Sequence, residues 1–261
     1  MPGISLKCEL NKKIKPVDNE KDKIFINALN SIIHNEFYKR EILLNDDLYS
    51  VGCTRYQEYP VNIFENSEYW VCLEGKIYGK EHSVLTNEIY ELMSFIFGTR
   101  SDTSGDKKII SNWLSRTDGE FVIYALNKKS KDFIIMNDVL GRLPIYYFCI
   151  EGRELLVSRE MQFISCLIQE SDDNYVNTDK FDGMGIAQFL LFCHTLGKRT
   201  LLKNIYRLEP ATLLRVYNDN SEIKIENLYR YNFGNKTNTN DSLKKSAQEL
   251  QHHLEVEKFL C

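Results

Sequence analysis

Three times along the second half of the chain an apolar run meets a short polar stretch and a second apolar run follows. GEFVIYALNKKSKDFIIMND turns on Asn-Lys-Lys-Ser-Lys-Asp, LPIYYFCIEGRELLVSRE on Glu151-Gly152-Arg153, and ATLLRVYNDNSEIKIENLYRY on Asn218-Asp219-Asn220. Aromatic and β-branched residues on both sides of such turns predict antiparallel hairpins. DLYSVGCTR and EYWVCLEGKIY read as further strands. TNEIYELMSFIFGTR places Ile89, Leu92, Met93 and Ile96 at helical spacing, DKKIISNWL reads as a second short helix, and GMGIAQFLLFCHTLG as a third closed by Gly197. The expectation is an antiparallel, β-rich α+β domain over residues 1–231. A polar stretch, NFGNKTNTNDS, then reads as a linker. Behind it SLKKSAQELQHHLEVEKFL has a helical pattern, with Ser242 as N-cap and Leu243, Leu250, Leu254 and Phe259 as an incomplete apolar stripe. Residues 232–261 are therefore read as linker and helix leading towards a further domain.

Composition narrows the function classes. At 261 residues, with 43% hydrophobic and 12% aromatic content, the chain can bury a full core. Its net charge of −4 is spread over mixed signs, without the basic field that phosphate backbones require, so nucleic acid is not an expected partner. No apolar run approaches the roughly 18 residues of a membrane span, and no apolar segment near Met1 reads as a secretory signal. Seven scattered cysteines, an odd number without C-x-x-C spacing, read as reduced thiols in a cytoplasm. The five histidines form no metal-ligand pattern and no glycine-rich phosphate loop is present. No cofactor is expected.

Four stretches, in order, resemble the N-terminal glutaminase domain of asparagine-synthetase-like proteins, the class II glutamine amidotransferases. LEGKIYG is similar to that family's "NGEIYN" loop, and DGEFVIYAL with NDVLGRLPIYY to its "DG-F-A-x-A … RD-x-x-G-x-x-P-L-Y-Y" block. ELLVSREMQFI resembles "ASE-x-K-A-L", and TLLKNIYRLEPATLLRV resembles "T-x-x-x-x-I-x-x-L-x-P-G-x-x-L". The resemblance implies an N-terminal-nucleophile (Ntn) hydrolase fold, a four-layer αββα sandwich of two antiparallel sheets. It also implies a cysteine followed by Gly-Ile, whose thiolate attacks the glutamine amide while its own amino group handles the proton. Here Gly3-Ile4 follow Pro2, which has neither thiol nor hydroxyl. Cys8 is the alternative nucleophile after trimming of MPGISLK, but Glu9-Leu10 follow it in place of Gly-Ile.

The same resemblance places Glu74 where an asparagine helps form the oxyanion hole, retains Gly75, and puts Lys76 where a glutamate binds substrate. A carboxylate facing a developing oxyanion would repel it; Glu74 and Lys76 could instead pair with each other. Arg55 matches the arginine that holds the substrate carboxylate and Asp102 the aspartate that meets its amine. The structural alternatives are a strand-end arginine pairing with Glu58 or another carboxylate, and a turn or N-cap aspartate. Asp138 and Gly141 read as turn residues, and Arg159 with Glu160 as a surface or layer-boundary pair. The Ser-Gly-Gly-x-Asp-Ser pyrophosphate loop of the family's synthetase domain is absent. The expectation is a degenerate glutaminase domain acting as scaffold for a separate or missing ATP-dependent, asparagine-synthetase-like partner. Two alternatives stand beside it: an amino-acid-binding module, for glutamine or another amino acid, and an amidotransferase with a replaced nucleophile. A homodimer is compatible with either.

Overall fold

The computed structural model describes residues 2–10, 19–98, 104–170 and 180–229. Two six-stranded antiparallel sheets carry the fold. One contains β1 (Gly3–Glu9), β2 (Lys39–Asn45), β3 (Tyr49–Arg55), β8 (Tyr146–Ile150), β9 (Glu154–Ser158) and β10 (Tyr206–Arg207), in the order β10-β8-β9-β1-β3-β2. The other contains β4 (Val61–Glu65), β5 (Tyr69–Ile77), β6 (Gly119–Asn127), β7 (Phe133–Asn137), β11 (Thr212–Tyr217) and β12 (Glu222–Asn227), in the order β12-β11-β7-β6-β5-β4. The three hairpins expected from sequence are β6–β7, β8–β9 and β11–β12.

Strand alternation explains why the sheets stack. Ile4, Leu6 and Cys8 on β1, Tyr49, Val51 and Cys53 on β3, and Leu155 and Val157 on β9 face Trp70, Cys72, Val122, Tyr124, Leu126 and Phe133 across a shared core. The opposite faces are covered by helices, as two-layer burial requires. Helices α2 (His82–Gly98) and α3 (Ser104–Arg116) lay Ile89, Leu92, Met93, Ile96, Ile110 and Leu114 on Val71, Leu73, Ile123 and Ile134. Helices α1 (Asn19–Asn30) and α4 (Met161–Glu170) bring Phe25, Leu29, Phe163 and Ile164 onto Leu156. The result is the four-layer αββα sandwich.

Several features depart from the sequence reading, which did not include strands β2, β4 and β10 or helices α1 and α4. Strand β1, held between β3 and β9, was not among the strands expected, although Ile4, Leu6 and Cys8 alternate inward. Helix α5 (Gly183–Phe192) stops earlier than Gly197, because Cys193 adopts a left-handed φ of 61° and returns its N–H to the Phe189 carbonyl at 2.8 Å. Asp102 and residues 230–261 lie outside the described residues. Among the described residues no helix is long and apolar enough to cross a membrane.

Leu6 sits fully buried in the core between the sheets, so Leu6→Ala should lower stability by about 2–5 kcal/mol in urea titration. Ile109→Ser, on a half-exposed position of α3, should change it by no more than about 0.5 kcal/mol.

Candidate functional site

At one end of the space between the sheets the inward-facing pattern changes from apolar to charged. Glu74 stands two residues beyond Cys72 on β5, Arg159 two beyond Val157 on β9, and Arg55 two beyond Cys53 on β3. Period-two alternation therefore directs all three side chains into the same end of the sandwich. The register of β1 against β3, with Gly3 opposite Thr54, brings Pro2 to this end as well.

Glu74 and Arg159 form a buried ion pair, Arg159 Nη1 donating to Glu74 Oε1 at 2.7 Å, with side-chain exposures of 0% and 6%. Tyr59 closes the pair into a triangle. Its hydroxyl donates to Glu74 Oε1 at 2.5 Å and accepts from Arg159 Nη1 at 3.1 Å. The other carboxylate oxygen accepts long bonds, both 3.4 Å, from the Ile4 N–H and the Tyr124 hydroxyl. Arg159 Nε donates to the Pro144 carbonyl at 2.6 Å. Gly3 is packed so closely over the pair that a Cβ there would lie 2.2 Å from Arg159 Cγ and 3.0 Å from Glu74 Oε1.

The electrostatics follow from burial and mutual contact. Burial raises the Glu74 carboxyl, opposed by the Arg159 guanidinium, the Tyr59 hydroxyl and the Ile4 N–H. Burial pulls Arg159 down, but the Glu74 carboxylate, Tyr59 and Tyr124 together outweigh this and the guanidinium is raised. Burial also pushes the Cys53 and Cys72 thiols up, and nearby Glu74 adds to it. Cys8 is wholly buried in the core between the sheets and its thiol is raised by burial and by Glu9. Thiols held protonated in this way are poor nucleophiles.

The remaining residues singled out from sequence sit around this network. Gly75 has a φ of +93°, and a Cβ there would lie 2.0 Å from the Glu120 carbonyl oxygen; its own N–H donates to the Pro60 carbonyl at 2.9 Å. Lys76 is exposed and opposite Glu120 in the β5–β6 register. The expected Glu74–Lys76 pair is absent, because adjacent-but-one residues on β5 lie at different depths and Arg159 takes the carboxylate. Arg55 pairs with Glu41 at 2.8 Å across β2 and β3, the strand-end alternative with a different carboxylate from Glu58. Arg159 and Glu160 do not form a surface pair: Arg159 is buried on Glu74, and Glu160 accepts from His34 Nε2 at 2.8 Å. Asp138 does shape a turn, its carboxylate accepting from the Leu140 and Arg142 N–H groups beside Gly141 at φ +59°. Sequence reasoning missed Tyr59, Tyr124 and the role of Arg159; the inward alternation of Tyr124 and Arg159 was the available signal. Among the described residues no group of His, Cys, Asp and Glu side chains could hold a metal ion.

With that geometry in place, comparison with known proteins gives the family. The chain belongs to the glutamine amidotransferase domain family, which matches residues 45–230. It is similar in structure to glutamine phosphoribosylpyrophosphate amidotransferase from B. subtilis complexed with ADP and GMP, at 13% identity and a TM-score of 0.47, covering 88% of this chain and 50% of that one. It is also similar to a structure described as the allosteric regulatory enzyme of purine biosynthesis, at 14% identity and a TM-score of 0.49, covering 88% and 49%. The chain thus spans about half the length of these solved structures, and similarity at this level speaks to neither substrate nor activity. No curated protein sequence matches the chain.

Arg159→Met tests the network. Removing the guanidinium leaves Glu74 buried without its counter-charge, which should cost about 3–5 kcal/mol at pH 8. A carboxyl whose folded pKa lies above its unfolded value lends stability while protonated and loses it as pH rises through the folded value. The deficit of Arg159→Met should therefore narrow between pH 8 and pH 5 in urea titrations. Adding Glu74→Gln should remove that pH dependence; a deficit independent of pH in Arg159→Met would show that Glu74 does not carry the buried charge.

Proposed function

We propose that this chain is a glutaminase-type domain of the asparagine-synthetase-like kind that keeps the fold and has lost glutamine hydrolysis. In this reading it serves as scaffold for an ATP-dependent, amide-forming synthetase, carried by a separate protein or a further domain. The supporting observation is the Glu74–Arg159–Tyr59 triangle beneath Gly3. Hydrolysis of a carboxamide needs a nucleophile and free donors aimed at the developing oxyanion. At the corresponding end of this sandwich the Arg159 and Tyr59 donors are engaged by Glu74, the Gly75 N–H is engaged by Pro60, and the Ile4 N–H points to a carboxylate. Pro2, at the position of the family's cysteine, offers no thiol. The family match begins at residue 45, so the assignment of Pro2 rests on the Gly3-Ile4 pair and on the place of β1 between β3 and β9.

A second reading is supported by Arg55. Its pair with Glu41 is partly exposed, and such pairs contribute only about 0–1 kcal/mol. The guanidinium can exchange Glu41 for the carboxylate of an amino acid at little cost, and exposed Lys76 on β5 offers a charge that would favour acidic side chains.

One preparation with two readouts separates these functions. Incubated with glutamine, the purified chain should release no glutamate above the buffer blank; sustained release would overturn the loss of hydrolysis. Calorimetric titration with glutamine, glutamate and aspartate should give no heat for a pure scaffold. Saturable heat that disappears in Arg55→Met would instead establish the amino-acid-binding module.

A further inference from the structure

Between Lys180 and Leu208 an apolar helix is seated on a basic strap. Helix α5 has the sequence GMGIAQFLLF, and only Gly185 is buried, lying so close to the Thr200 carbonyl that a Cβ there would be 2.1 Å from the oxygen. Phe181, Met184, Phe189 and Phe192 are exposed, and Leu190 and Leu191 are 76% and 75% exposed. The helix is nonetheless firmly built. Asp182 caps it by accepting from the Gly185 N–H at 3.0 Å and holds Arg199 at 2.5 Å, while Gln188 Oε1 accepts from the Leu196 N–H at 3.0 Å. Contiguous apolar surface of this kind marks a protein or a membrane contact.

Charge and the lack of polar anchors decide between the two. Lys180, Lys198, Arg199, Lys203 and Arg207, against Asp182 alone, give residues 180–208 a net charge of +4 in a chain of net −4. All of these basic residues except Arg199 are exposed. Backbone bonds set them in pairs along the strap that seats Gly185: the Lys203 N–H donates to the Lys180 carbonyl at 3.0 Å and the Arg207 N–H to the Lys198 carbonyl at 2.8 Å. A second copy docked α5 against α5 would bring two such cationic segments together. A protein partner is ordinarily held by Tyr, Trp or Arg anchors and by about one hydrogen bond per 100–200 Å² of interface. Helix α5 has none of those residues, and Gln188, its one polar side chain, is already engaged. Lipid chains need no directional partner, and anionic headgroups complement the basic rim. Since the remainder of the chain carries −8, the same charges turn α5 towards a negative surface.

We propose that α5 is a contact for an anionic lipid surface. The helix lies in the plane of the interface with its leucines and phenylalanines among the upper acyl chains, and Lys180, Lys198, Lys203 and Arg207 meet the headgroup anions. Its 10 residues are far too few to span a bilayer, so the contact is peripheral and reversible. The proposal is independent of whether the domain hydrolyses glutamine.

Co-sedimentation of the full-length chain with vesicles tests this, and Cys193, exposed at the C-terminal end of α5, locates the contact through its alkylation rate. Vesicles of phosphatidylcholine with about one-third phosphatidylserine should bind the chain. Binding should be weaker by about tenfold or more on phosphatidylcholine alone, or in about 0.5 M NaCl. In the bound chain Cys193 alkylation and hydrogen exchange across residues 184–193 should slow, with β6 unchanged. Leu190→Ser/Leu191→Ser should reduce binding to the level of phosphatidylcholine alone. Lys180→Gln/Lys203→Gln should weaken it about thirtyfold, from roughly fivefold per cation, and decides the matter if the leucine variant fails to fold. No binding to the phosphatidylserine vesicles would overturn the proposal and leave the face to a protein partner. Equal binding to both vesicle types, or binding that survives both variants, would also overturn it. So would Cys193 alkylation that slows with protein concentration in the absence of lipid, which assigns the face to a second copy.

Discussion

The contact between Glu74 and Arg159 joins the two sheets at the end of the sandwich where the first strand begins. An isolated carboxylate with no accessible surface would be untenable there. What makes it tenable is closure of the network: the guanidinium, the Tyr59 hydroxyl, the Tyr124 hydroxyl and the Ile4 N–H all address the same two oxygens. Three other features depend on this arrangement. Gly3 must lack a side chain to cross over the pair. The Pro144 carbonyl is tied to Arg159 Nε, which anchors the segment entering β8. Tyr59 is held against the sheet end by both partners. Replacing such a pair by apolar residues of like volume often costs nothing, whereas removing one member leaves a stranded charge. The network is thus a specification of how the sheets meet more than a source of net stability.

The same closure sets the chemistry on the proposed reading. A glutaminase needs unsatisfied donors at the place where charge develops, and it benefits from a low-dielectric surrounding only if those donors are free to turn towards the substrate. Here the low-dielectric space is filled by a carboxylate and its partners. Around it lie Arg55, half-buried and paired with Glu41, and exposed Lys76, opposite Glu120 in the β5–β6 register.

Much of the architecture was legible because it rests on local patterns. The three hairpins are specified by apolar runs flanking polar turns, and α2 by Ile89, Leu92, Met93 and Ile96 on one face. The site was legible only in part. Glu74 stood out through the family resemblance, at the place of the oxyanion-hole asparagine, but its partner lies 85 positions away and no periodicity links them. The nearer Lys76 offered itself instead, although its place further along β5 leaves it in solvent. Arg159 reads from sequence as half of a surface or layer-boundary pair with Glu160, and only the alternation from Leu155 and Val157 directs it inward. Helix α5 shows the opposite limit: its composition predicts burial, while its exposure depends on what lies beside it in three dimensions. Asp102 falls outside the described residues.

The most direct test compares glutamate release by Pro2→Cys with that of Pro2→Cys/Glu74→Asn/Lys76→Glu. If the Glu74–Arg159 network has replaced the amidase pocket, supplying a thiol alone leaves the chain silent, because no free donors stabilise the oxyanion. Sustained glutamate release by Pro2→Cys alone would contradict this account. It would mean that the pocket is intact and that Pro2 is its sole defect.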